Sequence, residues 1–221
     1  MDFDFSPVIE NWRFLGQGLA LTVVLALAAM GGALGFGGVL GLARTYGPRW
    51  LALPLTFYID SMRAIPVLVV LVWTFFAFPI LTSLTLPPFW AALLALTLHL
   101  AAYVAEIVRA GIVSVRPGQV RAGLALGMSS PQVVRRIVLP QAIVRMLPAF
   151  GSILSVTIKD TAIATVIAVP ELMRQSETLA AQSFRPIEVY TTAMILFFLL
   201  LFPVTRGVDR LYRRISHLGR S

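Results

Sequence analysis

An all-α integral membrane protein with about five transmembrane helices is the fold class this sequence predicts, and three observations carry the prediction. Of the 221 residues, 58% are hydrophobic and only 13% charged, whereas a soluble domain carries roughly a quarter charged residues. Apolar runs of about 18 residues or more recur, each long enough to cross a bilayer core as a helix. Those runs are continuously apolar rather than alternating, which argues against transmembrane strands. The chain has no cysteine, so disulfides, thiol chemistry and Cys-ligated metals are excluded.

The spans can be placed in order. The first runs from about Gly16 to Leu42 and contains "GGALGFGGVLG", in which Gly31/Gly35 and Gly37/Gly41 are small-xxx-small pairs that let helix backbones approach. The second runs from about Leu51 to Leu81, and its Pro54 and Pro66 are positions where a helix bends or breaks. The third covers Phe89 to Val113, the fourth about Met146 to Val169, and the fifth Ile187 to Val204. Neither an internal repeat nor a soluble domain is evident. The expected organisation is an external segment over residues 1–15, a transmembrane domain over 16–205, and a basic cytoplasmic tail over 206–221. The start, "MDFDFSPVIENW", is acidic and lacks the basic region of a cleaved signal peptide.

Charge sets the expected orientation. Arg44 and Arg49, six arginines from Arg109 to Arg145, and five from Arg206 to Arg220 all fall on one side of a five-span layout. The positive-inside bias makes that side cytoplasmic and the N-terminus external. The net charge of +8 is thereby explained by membrane topology, with no call for a nucleic-acid partner.

Between spans three and four lies a segment too short and too charged to cross, residues 117–140. It reads as two short helices. Gln119 to Leu126 form the first, and Gly127 suits a left-handed helix end. Ser130 is placed as the N-cap of the second and Pro131 as its first helical residue. Gln132 to Leu139 follow, with Pro140 as the stop. Val133, Ile137 and Pro140 lie near one stripe, with Gln132, Arg135 and Arg136 turned away. Such a piece either rests on other helices with a polar face to the cytoplasm or lies along the head groups.

The stretch "GQVRAGLALGMSSPQVVRRIVLPQA" (Gly118–Ala142) resembles the EAA loop of ABC importer permeases, and more narrowly the polar amino acid (histidine/glutamine/arginine/glutamate-type) permease family. Gly118, Gln119, Ala122, Ala125, Leu126, Gly127, Met128 and the run Leu139–Ala142 fit the family pattern. So do "YIDSMRAIPVLV" (Tyr58–Val69), "AAYVAEIVRAGI" (Ala101–Ile112) and "IKDTAIATVIAVPEL" (Ile158–Leu172). Arg121 stands where the motif has its glutamate, Gly123 replaces its second alanine, and "RAIP" replaces Arg-Gly-Thr-Pro. The resemblance implies the type I importer permease architecture, in the bacterial plasma (inner) membrane. It marks Gly118, Gln119, Ala122, Ala125, Gly127, Met128 and Ser130 as a coupling loop against a cytoplasmic ATPase. It further implies two ATPase subunits holding ATP and Mg, a second permease chain, an external solute-binding protein and an amino acid substrate in a lipid setting, with no cofactor in this chain.

The chain's own residues agree with an external energy source. A nucleotide-binding P-loop ends in Gly-Lys-Ser/Thr, and the single lysine, Lys159, is followed by Asp160. His99 and His217 are isolated, so no metal or catalytic constellation is expected. Asp60, Arg63, Lys159 and Asp160 fall within apolar spans, where ionisable groups pair or line a pathway. Asp60 and Arg63, three apart, can neutralise each other. Alternatively, Arg63 faces a substrate carboxylate while Asp160, helped by Thr161, faces its ammonium group. Counting along straight helices puts Arg63 and Asp160 each about 20 Å from the cytoplasmic side. Thr157, Thr161 and Thr165 either share that face or bond back to their own helix. Glu106 and Arg109 read as structural or gating charges. The expected function is a permease subunit for a polar amino acid; an ion-coupled secondary transporter and a membrane scaffold are the alternatives.

Overall fold

The computed structural model describes residues 3–215, apart from the Ile215 side chain. His217 and Arg220 therefore lie outside the described residues. Nine helices follow one another among them. They are α1 (Ser6–Glu10), α2 (Trp12–Tyr46), α3 (Arg49–Ala64), α4 (Val67–Thr82), α5 (Pro88–Val113), α6 (Pro117–Ala125), α7 (Ser130–Ile167), α8 (Leu172–Ser183) and α9 (Pro186–Ile215). Four of them, α2, α5, α7 and α9, are long and apolar enough to cross a membrane singly, and α3 and α4 qualify together as a pair bent by 106°.

The packing of α2 on α5 decides how that bent pair counts. Gly32 lies against Thr97, Gly37 against Ala101 and Val104, and Gly41 against Ala105 and Val108. Residue numbers rise together, so α2 and α5 run parallel. The chain between them must therefore come back through the same thickness, and α3 with α4 make that single return. The break falls at Ile65 and Pro66, both extended, because a proline's ring pushes the preceding residue out of helical geometry. Pro54 sits inside α3 without ending it. The small side chains of α2 and α5, among them Ala29, Ala33, Ala91, Ala92 and Ala95, are fully buried and bring the two backbones close.

Helix α7 runs back along α5: Met146 meets Gly111 near one end, and Ala164 and Ile167 join the core of Ala91, Ala92 and Ala95 near the other. Helix α9 is antiparallel to α7. It starts at the same end as α1, where the Asp4 N–H donates to the Glu188 carboxylate at 3.2 Å, and reaches Gly151 of α7 with Val208. Five crossings result, with the arginines of the 44–49, 109–145 and 206–214 segments gathered at one end.

Three local features depart from the sequence expectation. First, Pro140 does not stop a short helix. A π turn over Val134–Val138 precedes it, and this wider turn carries the chain past the missing N–H. Helix α7 thus extends without interruption from Ser130 to Ile167, its last turns tightened into a 3₁₀ helix from Thr161. Second, the N-cap is Ser129 rather than Ser130. The Ser129 N–H donates to the Gln132 side chain at 2.8 Å, and the Ser129 hydroxyl serves the reciprocal bond of a capping box. Third, the loop after span four contains α8. Glu171 caps it, accepting from the N–H groups of Met173 (2.9 Å) and Arg174 (2.8 Å). Its carboxylate also accepts from the Thr22 hydroxyl at 3.4 Å, which fastens α8 to α2. Burial pushes the Glu171 carboxyl above its ordinary value, against the lowering pull of the two N–H groups.

Candidate functional site

Two regions carry the residues singled out by the sequence: the helical pair at the arginine-rich end, and the charges part-way through the bundle.

The helical pair is α6 with the first turns of α7. Helix α6 begins at Pro117, whose fixed φ suits a first turn, and ends in a Schellman motif. Gly127 has φ of 82°, its N–H donates to Leu124 O at 3.0 Å, and the Met128 N–H donates to Gly123 O at 3.1 Å. The reversal folds α6 onto α7, so Gly123 lies against Ile137 and Val133. Val115, Val133, Val138, Ala142 and Met146 form a core there, with Val120 and Met128 packed on it. The side chains of Gln119 and Gln141 are hydrogen-bonded to each other, and Arg145 donates to the Ser114 carbonyl. Of the coupling-loop residues named from the sequence, Gln119 and Met128 turn inward, while Gly118, Ala122, Ala125, Gly127 and Ser130 lie on the surface. Leu126, at the turn, is 83% exposed.

The charges inside the bundle divide into two kinds. Glu106 accepts from Arg44 of α2 at 2.7 Å and from Arg109 of its own helix, which makes it a tie between α2 and α5. Arg63 and Asp60 stand 4.0 Å apart with 40% and 58% of their side chains exposed, too loose and too wet to neutralise each other firmly. The Arg63 guanidinium lies 5.8 Å from the Tyr103 ring centre, within reach of a cation–π contact. Asp160 is half-buried and makes no ion pair or side-chain hydrogen bond among the described residues.

No hydrogen bond or ion pair joins Arg63 to Asp160 among the described residues. Arg63 sits beside Tyr103 on α5, whereas Asp160 lies farther along α7 from the Gly111–Met146 contact. At 1.5 Å per residue, Tyr103 stands about 12 Å and Asp160 about 21 Å along their own helices from that contact. Thr161 is buried and its hydroxyl donates to Ile158 O at 2.8 Å, while Thr157 bonds back to Ile153 O in the same way. Thr165 instead donates to Glu177 of α8 at 2.8 Å. The three hydroxyls therefore do not form one polar stripe. Sequence reasoning assigned no partner to Arg44, Tyr103 or Glu171, because those partners are remote in the chain. His99 is 6% exposed, and its Nδ1 has no hydrogen-bond partner among the described residues.

A five-crossing helical bundle with ionisable side chains part-way through, capped at its basic end by a helical pair continuous with one span, is the build of a transporter's permease subunit. Comparison with known proteins gives the same class, since the family of binding-protein-dependent transport system inner membrane components matches residues 33–217. The chain belongs to that family, and it is a permease subunit of an ABC importer. It is 33% identical over 220 residues to the glutamine transport system permease protein GlnP of Escherichia coli, covering 99% of this chain and all of that one. It is 34% identical to the arginine transport system permease protein ArtQ of Bacillus subtilis, with 95% of this chain and 97% of that one covered. A crystal structure of an amino acid ABC transporter with histidines superposes with a TM-score of 0.91 at 30% identity, over 97% of this chain and 100% of that one. The methionine transporter MetNI, at 19% identity and a TM-score of 0.81, shares the fold.

Proposed function

We propose that this permease carries a polar amino acid into the cytoplasm, with the energy supplied by ATP hydrolysis on separate subunits. The observation that carries the reading is the continuity of α7. The second helix of the exposed pair at the basic end and the half-buried Asp160 belong to one helix, Ser130–Ile167, and α6 is packed onto its first turns. At 1.5 Å per residue, about 45 Å of rigid helix joins Ser130 to Asp160. A push on the pair is therefore a movement at Asp160.

In this reading two ATPase subunits, holding ATP and Mg, grip α6 and the start of α7 on the cytoplasmic side. Arginine enrichment at that end supports the orientation, with residue 3 outside and the end of α9 inside. A second permease chain completes the pathway; the apolar stretches of α7 and α9 are only 22% and 17% buried, which leaves faces for that chain and for lipid. An external binding protein delivers substrate to the end that holds α8. Arg63 faces the substrate carboxylate with its planar fork, and Asp160 faces the ammonium group. The relatives named for glutamine and arginine transport support a polar amino acid as cargo.

The test is purification of the chain from its own membranes. An ATPase subunit should co-purify, and its hydrolysis should rise when an amino-acid-loaded binding protein is added. A chain that purifies without any ATPase under mild detergent would refute the reading.

A further inference from the structure

We infer that the exposed face of the helical pair fits an acid-lined cleft, and that the ATPase subunit of this importer presents carboxylates to Arg121, Arg135 and Arg136. This rests on the permease reading above and names the chemistry of the partner. No Asp or Glu occurs from Ile107 through Lys159, so the whole coupling segment is cationic. Arg121 is exposed on α6, and Arg135 and Arg136 are exposed on the π turn of α7. Among the described residues none of the three has an ion pair or side-chain hydrogen bond, in contrast with Arg44 and Arg109, which both hold Glu106.

Shape adds to charge. A recess of about 500 Å³ lined by Pro131, Gln132, Arg135 and Arg136 opens beside the turn. It has room for a short protein loop bearing a carboxylate, and a guanidinium binds a carboxylate through two parallel hydrogen bonds. Leu126 projects at the turn itself, 83% exposed. The complementary surface is thus an apolar socket ringed by acids. A lipid head-group layer fits less well. The Gln119–Gln141 and Arg145–Ser114 bonds and the core around Val133 seat the pair across the ends of α5 and α7. Its outer face therefore looks away from the bilayer.

The experiment uses the full-length permease in nanodiscs and the ATPase subunit that co-purifies with it. Binding should weaken about tenfold or more between 0.05 and 0.5 M NaCl, as opposed charges at an interface require. Arg121→Glu should cost about tenfold at low salt, and Arg135→Glu/Arg136→Glu about a hundredfold, each with unchanged melting temperature. Reversing a cleft carboxylate of the ATPase to arginine should restore binding to the reversed permease. Arg49→Glu, at the start of α3, should leave binding unchanged. Binding that ignores both salt and charge reversal would overturn the acid-lined cleft while leaving the permease reading standing. Retained ATPase binding with lost affinity for phosphatidylglycerol vesicles would assign the arginines to a membrane surface and also overturn it. No ATPase binding by the wild type at any salt would remove the permease reading and this surface together.

Discussion

The two glycine pairs of α2 have the same spacing and opposite surroundings, so substituting each pair probes the bundle directly. A Cβ on Gly37 would press on the Ala101 carbonyl oxygen, with Val104 Cβ at 2.8 Å and Ala101 Cα at 2.9 Å. A Cβ on Gly41 would lie 2.6 Å from the Ala105 carbonyl oxygen and 2.8 Å from Val108 Cβ. Backbone atoms on α5 cannot swing aside, so α2 must lift away from it. Overpacking of this kind costs about 1–3 kcal/mol per site, equivalent to a melting shift of about 2–12 °C for a chain of this size. At Gly31 and Gly35 a Cβ would meet nothing within 4 Å, and alanine is the better helix former by about 1 kcal/mol. Gly37→Ala and Gly41→Ala should therefore lower the melting temperature of the purified protein in detergent, and Gly31→Ala and Gly35→Ala should hold or raise it. The parallel register has its own check, since the cysteine-free chain allows Gly32→Cys/Thr97→Cys to be cross-linked cleanly. Equal melting of all four alanine variants, together with no cross-link, would refute the packing described here.

Other outcomes follow from the same structure. Asp160→Asn removes a charge and almost no volume; losing a buried charge partner costs about 2–5 kcal/mol, so uptake should fall about 30-fold or more with melting unchanged, and an unstable complex would instead make Asp160 structural. Gly127→Leu places a side chain at φ of 82°, at a cost of about 1–2 kcal/mol; ATPase retention on the purified permease should drop while membrane insertion persists. Glu171 has a carboxyl raised by burial above its ordinary 4.5. Folding therefore favours its protonated form, and the contribution is full below pH 4.5 and lost as pH rises through the raised value. Melting temperature should decline across that window, and Glu171→Gln should flatten the decline; a wild-type profile that rises there would contradict the assignment.

Much of the architecture was legible because hydropathy reports membrane spans with little ambiguity, and Gly127 announced its turn through the one conformation that favours glycine. The rest depended on contacts between remote residues. Gly31/Gly35 and Gly37/Gly41 look alike in sequence, and only the identity of the facing helix separates a packed pair from an open one. Pro140 follows an apolar run and reads as a stop; a π turn just before it absorbs the proline and joins the short helix to the span, which is what links the loop to Asp160. Helix α8 has no long apolar run, and its cap Glu171 is buried against Thr22, 149 residues away. Thr161 sits one residue from Asp160, but its hydroxyl is spent on its own helix, a choice that residue spacing does not decide.

The decisive measurement is amino acid uptake into proteoliposomes that contain the permease and its co-purified ATPase, with the binding protein supplied outside. Uptake should require ATP at the face bearing α6 and stop when the ATPase is inactivated. It should also be indifferent to collapsing proton and sodium gradients. Uptake by the permease alone, driven by an ion gradient without ATP, would contradict the account.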